Sequence, residues 1–230
     1  MPADRLGTVL VTGGASGLGA AVAAAVEEEG GTAVVLDRVA PQNGFAFEPV
    51  DLADARAAEA AVQRAADKAG GLDAVVTAAG TDACGDIGDV DPEAWDRVVL
   101  VNLLGTAAVV RAALPYLEKS RGRVVTVAST LGLRALPAAT AYCASKFGVV
   151  GFTRALAIEM GDRVGVTMLV PGGMKTHFFD DRPEHFKPAP DQLLNDPRDV
   201  AQSVVFALRQ PPGVELRELL VTPAGEPSWP

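Results

Sequence analysis

Short valine-rich runs alternating with alanine-rich, helix-length stretches leave this chain few ways to fold. Thr8–Val11, Thr32–Leu36, Phe45–Val50, Leu72–Thr77, Val124–Ala128, Val164–Val170 and Leu219–Val221 read as strands. Between them, Ala20–Glu29, Ala53–Ala69, Trp95–Leu117 (interrupted near Gly105), a segment from about Thr140 to Met160, and Asp196-Pro197 to Arg209 read as helices. Strands that are apolar on both faces belong to a sheet covered on both sides, and strand–helix alternation makes that sheet parallel. The expected class is therefore α/β: a doubly wound parallel sheet with helices on both faces, binding ligands at the strands' carboxyl ends. With 230 residues and no internal repeat, residues 1–230 form a single domain.

Composition narrows the partners. A 49% hydrophobic share supplies a large core. A net charge of −9 argues against nucleic acid or an anionic membrane surface as a partner. The two cysteines, Cys84 and Cys143, are too few for a disulfide framework and point to a reducing compartment. Met1-Pro2-Ala3-Asp4-Arg5 lacks the features of a signal peptide, and no apolar run reaches the length of a membrane span. A cytoplasmic protein is expected.

The first strand runs into Thr12-Gly13-Gly14-Ala15-Ser16-Gly17-Leu18-Gly19 and then a helix. Glycines permit a tight turn and close approach of a ligand to the backbone, and a helix N-terminus behind such a turn attracts anions. Asp37 closes the second strand, where a carboxylate can accept hydrogen bonds from both ribose hydroxyls of an adenosine and repel a 2′-phosphate. That favours NAD(H) over NADP(H); the adjacent Arg38 keeps NADP(H) possible, since a guanidinium can pair with such a phosphate. Asp51, before Leu52, either caps the next helix or reaches the adenine, or does both. Ala78-Ala79-Gly80, after the fourth strand, suit the floor of a crevice.

Ser129 closes the strand Val124–Ala128, and Tyr142 and Lys146 follow it on a helix-prone segment, four residues apart and so on one face. An ammonium beside a phenol favours phenolate, drawing the tyrosine down from its usual pKa of about 10 towards a working pH. Such a phenol exchanges a proton with a carbonyl or alcohol oxygen that the serine can hold. The plainer alternative is an ordinary helix-surface pair. Asn102 interrupts the apolar run from Val98 to Leu104; a buried asparagine there either satisfies backbone groups or orders a water for proton traffic.

The segment from Gly172 to Pro197 is long, proline-rich and aromatic, and reads as a lid over an apolar or mixed substrate. His177 and His185 lack the acidic or cysteine partners of a metal site and read as loop histidines. The tail ending in Trp229-Pro230 fits either an oligomer contact or packing on its own surface.

Together these residues resemble the short-chain dehydrogenase/reductase family, in its compact single-domain branch, over nearly the whole chain. TGGASGLG, Thr12 to Gly19, matches that family's cofactor-binding pattern, and YCASK, Tyr142 to Lys146, matches its YxxxK signature with Ser129 at the expected distance before it. Asn102 matches its fourth catalytic position and Asp51 its adenine-contacting aspartate, while Pro171-Gly172 followed by Thr176 resembles the segment beside the nicotinamide. Thr77-Ala78-Ala79-Gly80 stands where the family often reads NNAG, a departure that touches a sheet-stabilising hydrogen bond and not the chemistry. The resemblance implies a Rossmann-type fold and an oxidoreductase moving a hydride between a nicotinamide cofactor and a carbonyl or secondary alcohol. In it Tyr142 is the acid/base, Lys146 lowers the phenol's pKa and holds the ribose, Ser129 orients the substrate oxygen, and Asn102 holds a relay water. It also implies a homotetramer, or a dimer. The alternatives are an NADPH-dependent ketoreductase on carrier-bound or polyketide-like substrates, which Asp37 speaks against, and a dinucleotide-binding protein without turnover.

Overall fold

The structure, a computed structural model, describes residues 6–180 and 182–226. The expected contact through Trp229 and the reading of residues 1–5 lie outside the described residues. Seven parallel strands form one sheet in the order β3-β2-β1-β4-β5-β6-β7. They are β1 (Thr8–Thr12), β2 (Thr32–Asp37), β3 (Ala46–Pro49), β4 (Ala74–Thr77), β5 (Arg123–Val127), β6 (Gly165–Pro171) and β7 (Glu218–Val221). Chain direction across the sheet reverses between β1 and β4, where Val11 pairs with Val76 and Thr12 with Thr77. At such a switch point the connections leave in opposite directions and open a crevice at the carboxyl ends.

Alternation within each strand builds two cores. Leu10, Val34, Leu36, Val75, Val124 and Val166 pack with α2 (Ala55–Ala69), α4 (Thr106–Ser120) and the end of α5 (Thr140–Met160). Val9, Val11, Val35, Val76, Val125 and Leu169 face the other way, onto α1 (Gly17–Glu28) and α6 (Pro197–Leu208). Small alanines on these helices let them lie close to the sheet, and each fully buried valine or leucine contributes about 1.5–3 kcal/mol. Asp91 caps α3 (Pro92–Val99) by accepting a hydrogen bond from Ala94 N–H, with Pro92 in the first turn. Asp196 and Pro197 open α6 in the same way.

Three expectations change. The helix after β3 is capped by Asp54, which accepts from Arg56 and Ala57 N–H, and not by Asp51. The stretch around Gly105 is no break: α3 passes through a π-helical segment, Leu100–Gly105, into α4 as one rod. That rod, Pro92–Ser120, is 29 residues long and apolar enough to cross a membrane by length and composition, which corrects the expectation that no segment is. Its Val98, Val101, Val109, Ala113 and Leu117 are buried in the protein's own core. The long connection after β6 is compact, with short 3-10 turns at His177–Phe179 and Glu184–Phe186.

Candidate active site

The strand ends gather the sequence-predicted residues along one edge of the sheet. Gly13 leaves β1 with φ +71°, and a Cβ there would fall 2.7 Å from Ala79 Cα, so only glycine lets the turn lie against the β4 exit. Ala79 N–H donates to Thr12 Oγ1 at 3.1 Å, tying the two sides of the switch point together. Thr77 Oγ1, at one of the positions where asparagine is often found, is buried with no partner among the described residues.

Ser16 precedes α1 in extended conformation and its side chain makes no capping bond, so the N–H groups of the first turn, from Gly17, Leu18 and Gly19, gain no acceptor from it. A phosphate suits that position. Asp37, at the end of β2, accepts from Ala15 N–H at 3.0 Å, which fixes its carboxylate beside the glycine turn, and from Arg38 and Val39 N–H. Asp51 accepts from Ala53 N–H at 3.0 Å and pairs with Arg97 at 2.7 Å. Burial would raise its carboxyl, but the Ala53 N–H, Arg97 and the positive charge of Arg38 hold it below the usual range. Leu52 is buried beside it. Pro171 ends β6, Gly172 N–H donates to Val221 O, and Thr176 lies across the crevice, 3.4 Å from where a methyl on Gly17 would sit. The strand-end cradle, the uncapped helix start and a carboxylate fixed at the end of β2 therefore fit a dinucleotide.

Ser129 follows β5 and accepts from Leu131 N–H at 3.1 Å. Tyr142 and Lys146 lie on the first turns of α5, with Lys146 Nζ 5.6 Å from the centre of the Tyr142 ring. Lys146 is 4% exposed and donates to Val127 O at 2.8 Å. Burial pulls its ammonium down to about 8. Tyr142 does not show the depression expected from its neighbour: burial pushes the phenol up, and the Ser129 hydroxyl, hydrogen-bonded to it, pulls only part of the way back. Asn102 sits in the π-helical segment, almost fully buried. Its Oδ1 accepts from Thr81 N–H at 2.8 Å, and its Nδ2 donates to Thr81 O at 2.9 Å and Ser145 Oγ at 3.0 Å. Gly80 runs between them: a Cβ on it would lie 3.6 Å from Asn102 Oδ1 and 3.8 Å from Lys146 Nζ.

Residues 7–186 match the family profile described as short chain dehydrogenase. An uncharacterized oxidoreductase of Staphylococcus aureus (strain MW2) is 33% identical over 226 residues, covering 93% of this chain and 96% of that protein. The chain belongs to the short-chain dehydrogenase family. A short-chain dehydrogenase of Burkholderia cenocepacia J2315 solved with NADP superposes with a TM-score of 0.83 at 27% identity, over 95% of this chain and 97% of that one. The ligand-free aldohexose dehydrogenase of Thermoplasma acidophilum shares the fold, with a TM-score of 0.85 at 24% identity over 95% and 93% of the two chains.

Within this short-chain dehydrogenase the segment after β6 adds residues with no sequence signal of their own. Phe178 packs on Tyr142 with ring centroids 5.5 Å apart. Arg182 pairs with Asp82 across a separation of 100 residues, and no periodicity or spacing joins them. Glu226 accepts from Gly173 N–H at 3.0 Å, fastening the start of that segment. Ser145, which accepts from Asn102, lies inside YCASK but drew no reading of its own from the sequence. His177 pairs with Asp180 at 2.7 Å, and the His185 and Phe186 rings lie tilted with centroids 4.0 Å apart.

Proposed function

We propose that this short-chain dehydrogenase transfers a hydride between NAD(H) and a small or medium carbonyl or secondary alcohol, with Tyr142 as its acid–base group. The observation that carries the proposal is the convergence of Ser129, Tyr142 and Lys146 beside a glycine-lined crevice fit for a dinucleotide. A bound nicotinamide supplies or accepts the hydride. In the reductive direction the Tyr142 phenol gives its proton to the carbonyl oxygen while the Ser129 hydroxyl holds that oxygen in place. Lys146, with a pKa of about 8, is mostly charged at neutral pH and favours the phenolate left behind. Asn102 spends its carboxamide on Thr81 and Ser145, which supports a role in fixing the loop after β4 over one in holding a water.

The cofactor residues in this reading are Gly13, Ser16, Gly17, Leu18 and Gly19 at the phosphates, Asp37 and Arg38 at the ribose, and Asp51 and Leu52 at the adenine. Ala79, Gly80, Tyr142, Lys146, Pro171, Gly172 and Thr176 flank the nicotinamide end. NAD(H) is favoured because the Asp37 carboxylate is held at the ribose side of the turn by Ala15 N–H. The second reading, NADPH-dependent ketone reduction, draws on Arg38 and on the NADP bound by the Burkholderia cenocepacia enzyme. Initial rates on a panel of ketones and alcohols with both cofactors decide between them: activity with NADH exceeding NADPH supports the first, and the reverse order supports the second.

Exposed Leu100, Leu104, Phe147 and Ile158 on the rod and on α5 support a homo-oligomer, dimer or tetramer, assembled through that face. Unpaired Cys84 and Cys143 support a cytoplasmic setting.

A further inference from the structure

Besides the Glu226 contact at its start, the lid is tied to the loop after β4 through Arg182. Arg182 Nη2 lies 2.5 Å from Asp82 Oδ2, and the two side chains are 18% and 6% exposed. Cys84 Sγ donates to the same oxygen at 3.1 Å, and Ala83 N–H donates to Asp82 Oδ1 at 2.8 Å, so the carboxylate has a fixed seat. That seat is rigid because Asn102 grips both the N–H and the carbonyl of the preceding residue, Thr81. From the lid side, the Arg182 guanidinium lies 5.1 Å from the Phe178 ring centre and 4.6 Å from that of Phe179. Phe178 in turn covers Tyr142 at 5.5 Å. A guanidinium held between a carboxylate and two aromatic faces fixes the planes of all three.

We infer that the Asp82–Arg182 pair sets how far Phe178 stands off Tyr142, and so selects which carbonyl compounds reach the phenol. Arg182 is then a specificity-determining positioning residue; the inference rests on Tyr142 being the acid–base group. Phe178 lies against the Tyr142 ring, so a substrate approaching the phenol on that side presses on Phe178 and its bulk works against the clamp. Removing one partner leaves the other charge buried and unpaired, and the lid segment relieves this by opening. A relaxed clamp admits longer substrates and holds short ones less firmly.

Four full-length proteins test this: wild type, Asp82→Asn, Arg182→Ala and the exchange Asp82→Arg/Arg182→Asp. Asparagine keeps the shape of aspartate, so that variant retains the loop while losing the charge. Limited chymotrypsin digestion reads the lid directly through cleavage after Phe178 and Phe179. We expect cleavage about tenfold faster in each single variant, with the exchange returning towards wild type. With NADH and 2-alkanones from 2-butanone to 2-decanone, the ratio of kcat/KM for long over short chains rises about fivefold or more in the single variants, a change carried by KM. The NADH dissociation constant stays as in wild type. Equal digestion in all four proteins overturns the inference; so does faster digestion with an unchanged chain-length ratio, which would make the pair merely structural. If wild type reduces none of these ketones, the proposed chemistry fails for this class while the digestion still decides whether the pair holds the lid.

Discussion

Lys146 reaches towards Tyr142 but bonds elsewhere: its Nζ lies 5.6 Å from the phenol ring's centre while donating to Val127 O at 2.8 Å. The i,i+4 spacing brought the two side chains to one face, and the strand below, β5, captured the ammonium. Burial then acts on both groups in opposite senses, lowering the lysine and raising the tyrosine, because each is driven towards its neutral form. The ammonium therefore stands ready to favour a phenolate without having produced one.

A raised phenol fixes the pH dependence of the two directions. Tyr142 stays protonated through neutrality, so kcat/KM for ketone reduction is flat from pH 6 to 7 and declines only as Lys146 loses its charge near 8. Alcohol oxidation needs the deprotonated form, and its kcat/KM climbs about tenfold per pH unit between pH 6 and 7. Initial rates in both directions check this; oxidation that is already flat near pH 7 contradicts it.

Lys146→Met separates stability from function. The lysine's pKa falls from 10.5 to about 8 on folding. Between those values the unfolded chain binds more protons, so stability rises with pH across the window, and below it the buried ammonium costs stability in full. Methionine removes that cost, and we expect a melting temperature several degrees higher than wild type at pH 7, a gain of about 1–3 kcal/mol that shrinks as pH rises from 8 to 10. Turnover is lost. A variant that melts lower than wild type at every pH contradicts the account.

Asp37→Ala removes the carboxylate proposed to hold the ribose. Hydrogen bonds to a charged group are worth about 1.5–3 kcal/mol, so the KM for NADH should rise about tenfold or more while NADPH improves. Initial-rate ratios for the two cofactors give the answer; an unmoved ratio assigns the preference to Arg38.

Gly19→Ala places a Cβ 2.2 Å from Gly13 O, a backbone atom that can move only by reshaping the turn. Overpacking of this kind costs about 1–3 kcal/mol. Thermal melting should fall accordingly, and NADH titration by fluorescence should weaken in parallel; retained affinity would detach the turn from cofactor binding.

The sheet was legible because valine runs and alanine-rich helices speak of burial, and burial is local in sequence. Thr12–Gly19 and Tyr142–Lys146 were legible for the same reason, since each is one contiguous element. Harder to see was whatever depended on distant partners. Asp54 caps the helix because the helix begins at Ala55, three residues later than Asp51 needs, and Asp51 bonds Ala53 N–H and the distant Arg97 instead. The π-helical segment keeps the rod unbroken past Gly105, and only the fold shows Asn102 facing Thr81 and Ser145. The direction of the Tyr142 shift failed because spacing reports proximity, whereas desolvation and the Val127 carbonyl decide the electrostatics. Asp82 and Arg182 met for reasons the sequence does not carry at all.

The most direct test is Tyr142→Phe, which deletes the hydroxyl and keeps the ring against Phe178. Measured side by side, NADH affinity by fluorescence titration and kcat for the best ketone in the panel should part company. Affinity stays within about twofold of wild type, and kcat falls by about 10²–10⁴. A variant that still turns over at the wild-type rate would remove the phenol from the proton transfer.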